Sequence, residues 1–310
     1  MTMTKRILSF GEILWDILPD KMILGGAPFN FAFRVNSLGE VGLFVSSLGM
    51  DELGEKALQK ARELGIRVGL VQRHPTLPTG TVNVSFDANH LPHFIINPDV
   101  AYDHIRLTDE LAEAALACEC LCFGTLIQRA RTSRETLHEL IDLAHDAVKF
   151  LDINLRKNCF SQETVLYSLE KANILKLNDD EVRQLRHMLG LSFTSYPYFC
   201  EFIAEEFDLD YVLITFGERG AFAGSSLGEQ VYVPGHKIKL GDSLGSGDAF
   251  SAAFIHSLLA GHSLQAACEL GNALGALVAM THGATAVIST DEIAAFLQSS
   301  TQRCHHPEFS

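Results

Sequence analysis

The residues best placed to do chemistry lie in one short loop near the C-terminal end of the chain. This loop, Gly241–Asp248, consists almost entirely of Gly, Ser and Asp, and apolar residues at helical spacing then follow as far as Gly261. Backbone N–H groups at the start of a helix lack intrahelical partners, and the helix dipole adds positive charge there. The loop therefore predicts an anion hole for a phosphate, formed by Gly245, Ser246 and Gly247.

Asp248 adds a carboxylate to the first turn of the same helix. The helix dipole stabilises a negative charge at this position, which is a sufficient structural reason for an acidic residue. If a phosphoryl group occupied the neighbouring amides, Asp248 would also lie beside it and could accept a proton from an attacking hydroxyl. The second interpretation predicts phosphoryl transfer with Asp248 as the general base, and the loop alone leaves both open.

Two separated motifs resemble the signatures of one enzyme family. The segment from Asp242 to Asp248 resembles the C-terminal signature of the ribokinase-like (PfkB) carbohydrate kinases, and Gly25–Ala32 resembles their N-terminal signature. Two matches in the right order are far more specific evidence for this family than either match alone. Pro78–Val82 and Val100–Asp103 further resemble the fructokinase branch of this family.

The resemblance implies an ATP-dependent kinase that transfers the γ-phosphate to a primary hydroxyl of a small sugar, with fructose as the best candidate. Ribose, 2-keto-3-deoxygluconate, a nucleoside and a sugar phosphate are alternative acceptors, and a catalytically silent sugar-binding or regulatory protein is the alternative outside the enzymes. The positions that match the family's substrate-binding residues are Asp16, Gly25, Gly26, Asn30, Asn154 and Arg156. From the residues alone, Asp16 also fits the solvent face of an edge strand, and Arg156 fits a salt-bridged loop.

Further matches follow later strands and would bind ATP: Asn178, Glu181, Thr215, Gly217, Gly220 and Asn272. The resemblance implies that Asn178 and Glu181 organise water around Mg²⁺, an ion that prefers oxygen ligands and keeps several waters. The same two residues suit a helix N-cap followed by an acidic first turn, and both functions can coexist. Residues 215–220 also fit an ordinary tight turn, and Asn272 fits a core amide bonded to the backbone.

A monovalent cation is the second ion that the resemblance implies. Asp242 is its candidate ligand, K⁺ is the candidate ion, and Gly283–Ala284 matches a family loop near the nucleotide and this cation. Ser246 stands where the family usually has Ala. Its hydroxyl would either cap the helix or crowd the phosphate, which affects the rate rather than the type of reaction.

The pattern of secondary structure predicts the fold that positions these residues. From residue 109 onward, helices and short apolar strands alternate, which indicates a mostly parallel sheet with helices on both faces and a crevice at the carboxyl ends of the strands. The resemblance names this architecture as a ribokinase-like three-layer α/β/α core. Segments 13–25 and 79–103, with a turn at Asp87–Asn89, predict a small β-sheet lid inserted in a single kinase domain that spans residues 1–310.

Composition narrows the class of protein further. The 310 residues carry a net charge of −14, which disfavours nucleic acid as a partner, and no apolar run is long enough for a membrane span. No signal peptide is recognised, and an odd number of cysteines predicts free thiols and a cytoplasmic location. Cys304–His306 is expected in an unstructured polar tail, and the exposed lid sheet is a candidate surface for a homodimer.

Overall fold

Short apolar runs bounded by turn residues form the strands of this protein, whose structure is a computed structural model. It describes residues 4–18, 20–86 and 92–310. The strands are β1 (Arg6–Phe10), β2 (Leu14–Ile17), β3 (Met22–Gly25), β4 (Val41–Gly49), β5 (Val71–His74), β6 (Gly80–Phe86), β7 (Pro92–Ile96), β8 (Cys120–Phe123), β9 (Val148–Asp152), β10 (Ile174–Asn178), β11 (Tyr211–Thr215), β12 (Ala221–Ser225), β13 (Gln230–Val233), β14 (Gly235–His236) and β15 (Arg303–Cys304).

Helices connect these strands, and several begin at the side-chain caps that the sequence suggests. Asp51, Thr108, Ser161 and Asn178 each accept a hydrogen bond from a backbone amide in the first helical turn. The helices are α1 (Ala27–Ser37), α2 (Glu52–Glu63), α3 (Asp109–Leu116), α4 (Arg131–Leu143), α5 (Gln162–Lys171), α6 (Asp179–Leu189), α7 (Tyr196–Phe207), α8 (Ser246–Leu259), α9 (Leu264–Ala279) and α10 (Thr290–Gln298).

Nine strands form the main sheet, in the spatial order β13-β12-β11-β10-β9-β8-β1-β4-β5. Neighbouring strands from β11 to β5 are parallel, and β12 and β13 extend the sheet in antiparallel fashion. The strand order reverses at β1, which lies between β4 and β8. In open sheets of this kind, ligands bind outside the carboxyl ends of the strands at such a reversal, so the end of β1 marks the expected crevice.

Both faces of the main sheet are covered, as the alternation of helices and strands predicts. Successive side chains of a strand point to opposite faces. Ile7 and Phe150 pack on one face with residues of α1, α8 and α9, whereas Leu8 and Leu151 pack on the other with residues of α3 to α7. The predicted mostly parallel sheet with helices on both faces is therefore confirmed.

A second sheet of four strands, here called the small sheet, has the order β3-β2-β6-β7. Strands β2 and β6 are parallel, and the other two pairs are antiparallel. Trp15 of β2 is buried against the core and its Nε1 donates a 3.0 Å hydrogen bond to the carbonyl of Leu53. The predicted turn at Asp87–Asn89 lies outside the described residues.

Several parts of the fold differ from expectation. Helices α5, α7 and α10, strand β5 and the antiparallel pair β12–β13 go beyond the elements that the sequence predicts. The expectation of an unstructured tail at Cys304–His306 is wrong, because β15 pairs with β14 and His306 is buried. Phe309 stacks on Tyr232 and Phe222, with ring centroids 4.5 Å and 5.1 Å apart, so aromatic packing holds the chain end in place.

The cysteines agree with the expectation of free thiols. All seven cysteines are free, and six of them are buried. Among the described residues, no helix combines the length and apolarity that crossing a membrane requires.

Candidate active site

A narrow cavity lies where the strand order of the main sheet reverses. Its volume is about 20 Å³, and the chain segments that follow β1, β8 and β9 surround it together with the starts of α1 and α8. Two of the predicted site residues, Asn154 and Asp248, line it. Its lining also includes Asp152, from the same segment as the predicted Asn154, and three residues that sequence reasoning did not propose: Glu12, Cys122 and Thr125.

Asn30 and Asp248 join the two signature motifs directly. Asn30 Nδ2 donates a 2.8 Å hydrogen bond to Asp248 Oδ2, across 218 positions of sequence. The other amide atom, Asn30 Oδ1, is buried and has no hydrogen-bond partner among the described residues. Buried polar atoms normally have partners, so this free acceptor suits a ligand hydroxyl.

The environment of Asp248 adjusts its acidity. Burial raises the pKa of Asp248 to about 6, and the negative charge of Asp152 adds to the shift. The hydrogen bond from Asn30 and the charges of Lys176 and Arg156 act in the opposite direction. A carboxylate with a pKa close to neutrality is suited to accept a proton during catalysis.

The first turn of α8 is formed as the loop sequence predicts, with one difference in its amides. Gly245 caps the helix with φ of +77°, a conformation that favours glycine. Ser246 donates from both its amide, at 3.2 Å, and its hydroxyl, at 2.8 Å, to the carbonyl of Ser243. The hydroxyl therefore closes the turn, and among the described residues the amides of Gly247 and Asp248 have no protein acceptor.

A larger cavity of about 380 Å³ lies on the other side of this turn. Four predicted nucleotide-binding residues line it together: Thr215, Gly217, Gly220 and Asn272. Asn272 Nδ2 also donates a 3.0 Å hydrogen bond to the carbonyl of Val233, so the side chain has the backbone contact that the alternative interpretation predicts.

Glycines on α9 give the larger cavity its shape. A Cβ atom on Gly271 would lie 2.7 Å from the ring of Phe250, and one on Gly275 would lie 3.1 Å from the carbonyl oxygen of Ser246. Side chains at these positions would push α9 away from α8. The glycines keep the two helices close, so that Ser246 and Gly247 border the larger cavity while Asp248 borders the smaller one.

Asn178 and Glu181 form a capping box at the start of α6. Asn178 Oδ1 accepts from the amide of Glu181 at 2.9 Å, and Glu181 Oε2 accepts from the amide of Asn178 at 2.8 Å. Glu181 Oε1 accepts a third amide, that of Leu155, at 3.0 Å. Neither side chain lines either cavity, and the described residues contain no cluster of three or more His, Cys, Asp or Glu that could hold a metal alone.

Of the predicted substrate-binding residues, only Asn154 lines the smaller cavity. The others line neither cavity, although Ala27, which follows Gly25 and Gly26, borders the smaller one. Asp16 lies next to Gly25, and burial raises its pKa while the charge of Arg156 opposes the shift. Gly26 has φ of +115°, and a Cβ there would collide with the carbonyl of Glu12. Asn154 also has a positive φ, +44°, a sparsely populated conformation that is found at binding sites more often than elsewhere.

A buried ion pair that sequence reasoning missed lies behind the first turn of α8, where the anion hole is predicted. Lys176 Nζ is 3.1 Å from both carboxylate oxygens of Asp152, and the Ser251 hydroxyl donates to the same carboxylate at 2.8 Å. Lys176 Nζ is also only 3.4 Å from the position of a Cβ on Gly247. Burial acts against the charged form of Lys176, but nearby carboxylates, above all Asp152, outweigh it and raise the pKa.

Glu12 is a second missed residue, and it supports the glycine turn between β3 and α1. It is buried, and its Oε1 accepts a 3.2 Å hydrogen bond from the amide of Ala27. Burial raises the pKa of Glu12 to about 7. Its position directly after β1, at the reversal of strand order, is the signal that could have identified it.

Comparison with known proteins defines the family. The model of the pfkB family of carbohydrate kinases matches residues 19–291. The 2-dehydro-3-deoxygalactonokinase of Haloferax volcanii is 26% identical, over 94% of this chain and 96% of that protein. The chain therefore belongs to the pfkB family of carbohydrate kinases.

Solved structures agree on the fold. A fructokinase from Xylella fastidiosa with bound ATP has a TM-score of 0.82 at 21% identity, covering 96% of this chain and 99% of that one. A fructokinase variant from Vibrio cholerae O395, in a form with fructose, ADP and potassium ion bound, has a TM-score of 0.80 at 22% identity, covering 95% and 99%. The ribokinase-like fold that the signatures imply is therefore confirmed.

The Lys176–Asp152 pair gives a prediction about stability. Both side chains are almost inaccessible, with 8% and 13% exposure. Lys176→Met leaves the carboxylate buried without its partner, and we expect a loss of about 3–5 kcal/mol in the free energy of unfolding, measured with urea. Lys56→Met, which breaks an exposed pair with Glu52, is the matched control and should barely move the unfolding midpoint. An equally small effect of Lys176→Met would contradict the buried pair.

Proposed function

We propose that this protein is an ATP-dependent kinase that phosphorylates a primary hydroxyl of a small sugar, with fructose as the first candidate. The observation that carries the proposal is the position of the first turn of α8 between two cavities. Asp248 borders the smaller cavity, and Gly247 borders the larger one. A sugar whose reacting hydroxyl enters the first cavity and an ATP molecule in the second would meet at this turn.

The reaction follows from the groups at that meeting point. The acceptor hydroxyl forms a bond to the γ-phosphorus, the bond from that phosphorus to the β–γ bridging oxygen breaks, and ADP leaves. Asp248 takes the hydroxyl proton, and Asn30 holds Asp248 in place through the 2.8 Å hydrogen bond. The free amides of Gly247 and Asp248 stabilise the charge on the transferred group, with Lys176 behind them.

The sugar contacts are assigned to residues around the smaller cavity. Asn30 Oδ1 lacks a protein partner in the described part of the chain and would accept from a sugar hydroxyl. The side chain of Asp16 is half-buried, and its carboxylate would accept two sugar hydroxyls. Asn154 and the Gly25–Gly26 turn complete the substrate side. The small sheet then serves as a lid that excludes water, inserted in one kinase domain that spans residues 1–310.

Mg²⁺ fits this site through water rather than through direct contact. Both carboxylate oxygens of Glu181 already accept backbone amides, but each has a second lone pair that a magnesium-bound water can use. Asn178 lies at the end of β10, beside Thr215 of β11, which borders the larger cavity. When bound, the metal would neutralise phosphate charge, and Asn178 and Glu181 would hold its waters.

A 2-keto-3-deoxy sugar acid is the second candidate for the acceptor, because the site offers a suitable cation. Arg156 is exposed, and its positive charge acts to lower the pKa of Asp16, Glu12 and Asp248. A guanidinium group is well suited to grip a carboxylate with two parallel hydrogen bonds. The relative from Haloferax volcanii acts on a substrate of this type.

Two further assignments complete the proposal. The protein is expected to work in the cytoplasm, where ATP and reduced thiols are available. The outer strands of the small sheet, β3 and β7, offer edges that a second copy could cover.

Release of ADP over a panel of acceptors tests the proposed activity. We expect the highest kcat/KM with fructose, and ribose, 2-keto-3-deoxygluconate and a nucleoside serve as comparisons. If a sugar acid is instead the acceptor, Arg156→Gln should raise the KM for the sugar acid by about 10-fold or more, because the charged bidentate contact is lost. Failure to detect ADP release with any of these acceptors would contradict the proposal and favour a silent sugar-binding protein.

Asp248→Asn tests the general base. We expect kcat to fall by about 10²–10⁴-fold because the amide cannot take the proton, with the melting temperature changed little. Asp291→Asn is the control, since Asp291 is an exposed aspartate in the first turn of another helix, α10. Near-normal turnover of Asp248→Asn would remove this residue from the mechanism.

The pKa of Asp248 predicts the pH dependence of the reaction. The base works only when it is deprotonated, and burial raises its pKa to about 6. We therefore expect kcat/KM to be level above pH 7 and to fall about tenfold per pH unit well below pH 6. Glu12→Gln should keep this acid limb at the same pH, which excludes Glu12 as its source. A kcat/KM that stays level down to pH 5 would contradict the assignment.

A further inference from the structure

Arg34 is a fully buried cation whose charge no carboxylate balances by contact. Its side chain has 0% exposure, and no described acidic residue lies within salt-bridge distance of it. Burial lowers the pKa of Arg34 to about 10, so the guanidinium remains protonated at neutral pH. A buried charge is costly unless it is paired or hydrogen-bonded, so other groups must stabilise the Arg34 guanidinium.

The partners of Arg34 are backbone carbonyls in one distant segment. Its Nη1 donates to the carbonyl of Ala286 at 2.7 Å, and its Nη2 donates to the carbonyl of Ala284 at 2.6 Å. Nε has no partner among the described residues. Backbone carbonyl oxygens are also the ligands with which proteins replace the hydration shell of K⁺.

The segment that Arg34 holds lies directly against the anion hole. A Cβ on Gly245 would collide with Ala284, so the two backbones are in close contact. Arg34 also lies one helical turn after Asn30, on the same face of α1, and the charge of Asp248 acts on its pKa. The guanidinium therefore connects α1 to the segment that supports the start of α8.

This arrangement does not fit the K⁺ ion that the family resemblance implies. The Gly283–Ala284 segment matches the family loop near that ion. Here the carbonyl oxygen of Ala284, and that of Ala286 two residues later, already accept a cationic side chain. Asp242, the other candidate ligand, accepts a 3.0 Å hydrogen bond from the amide of Leu244 and keeps further lone pairs, so the misfit rests on the two carbonyl oxygens. A second cation at the same carbonyls would be repelled by the guanidinium.

We propose that the Arg34 guanidinium is a built-in cation that takes the place of the monovalent ion and positions the Ala284–Ala286 segment behind the anion hole. The protein then needs no K⁺. Arg34 is a positioning residue in this proposal, because it acts through the segment that packs on Gly245. The inference rests on the proposed kinase function only where turnover is measured.

Wild-type protein gives the first test, in buffers of equal ionic strength that contain K⁺, Na⁺ or tetramethylammonium. We expect the same melting temperature in all three, and kcat and KM that agree within about twofold. A melting temperature raised by K⁺ alone, or activation by K⁺ of tenfold or more, would overturn the proposal. The melting measurement needs no substrate, so it stands even if the proposed activity fails.

Arg34→Met gives the second test, because methionine fills much of the space without the charge. We expect a lower melting temperature in tetramethylammonium, and partial recovery in K⁺ or in a few millimolar guanidinium, which can occupy the freed carbonyls. The turnover of Arg34→Met should likewise be lowest in tetramethylammonium and should partly recover in K⁺ or guanidinium. Arg62→Met, at an exposed position of α2, is the control and should show no response to cations. An Arg34→Met protein that responds to no cation would contradict the inference, and the wild-type series decides the matter if this variant does not fold.

Discussion

One hydrogen bond, from Asn30 to Asp248, holds the two halves of the candidate site together. It joins α1, which follows the small sheet, to α8, which begins at the anion hole, and its length is 2.8 Å. It orients the carboxylate towards the smaller cavity and leaves Asn30 Oδ1 free for a ligand. The glycines before each helix, Gly26 and Gly245, both have positive φ and allow the two helix starts to come this close.

Positive charges around this bond compensate for a concentration of acidic groups. Asp152 and Asp248 lie near each other, and Glu12 borders the same cavity. Burial and the negative charge of Asp152 raise the pKa of Asp248. Lys176 and Arg156 lower the pKa of Asp248, Lys176 from a buried position and Arg156 from an exposed one. These opposing effects leave the pKa of Asp248 at about 6, a value that suits proton transfer at physiological pH.

Much of this arrangement could be predicted from the sequence because the signature motifs are local. The loop before Asp248 and the glycines at residues 25–26 specify backbone conformations by themselves, and the alternation of strands and helices predicts the sheet that brings them together. The contact of Lys176 with Asp152 depends on the register of β9 and β10, although a lone lysine in an apolar strand was a usable signal. The contact of Arg34 with Ala284 and the packing of Phe309 depend on tertiary contacts between distant segments, which no local pattern specifies.

The most direct test of the central claim is a crystal structure with a non-hydrolysable ATP analogue and an acceptor sugar. The account predicts the terminal phosphate within hydrogen-bond distance of the amides of Gly247 and Asp248, about 2.7–3.2 Å. It also predicts the acceptor hydroxyl within the same range of the Asp248 carboxylate, between that residue and the phosphate. A nucleotide bound with its phosphates away from the start of α8, or a sugar that does not contact Asp248, would contradict it.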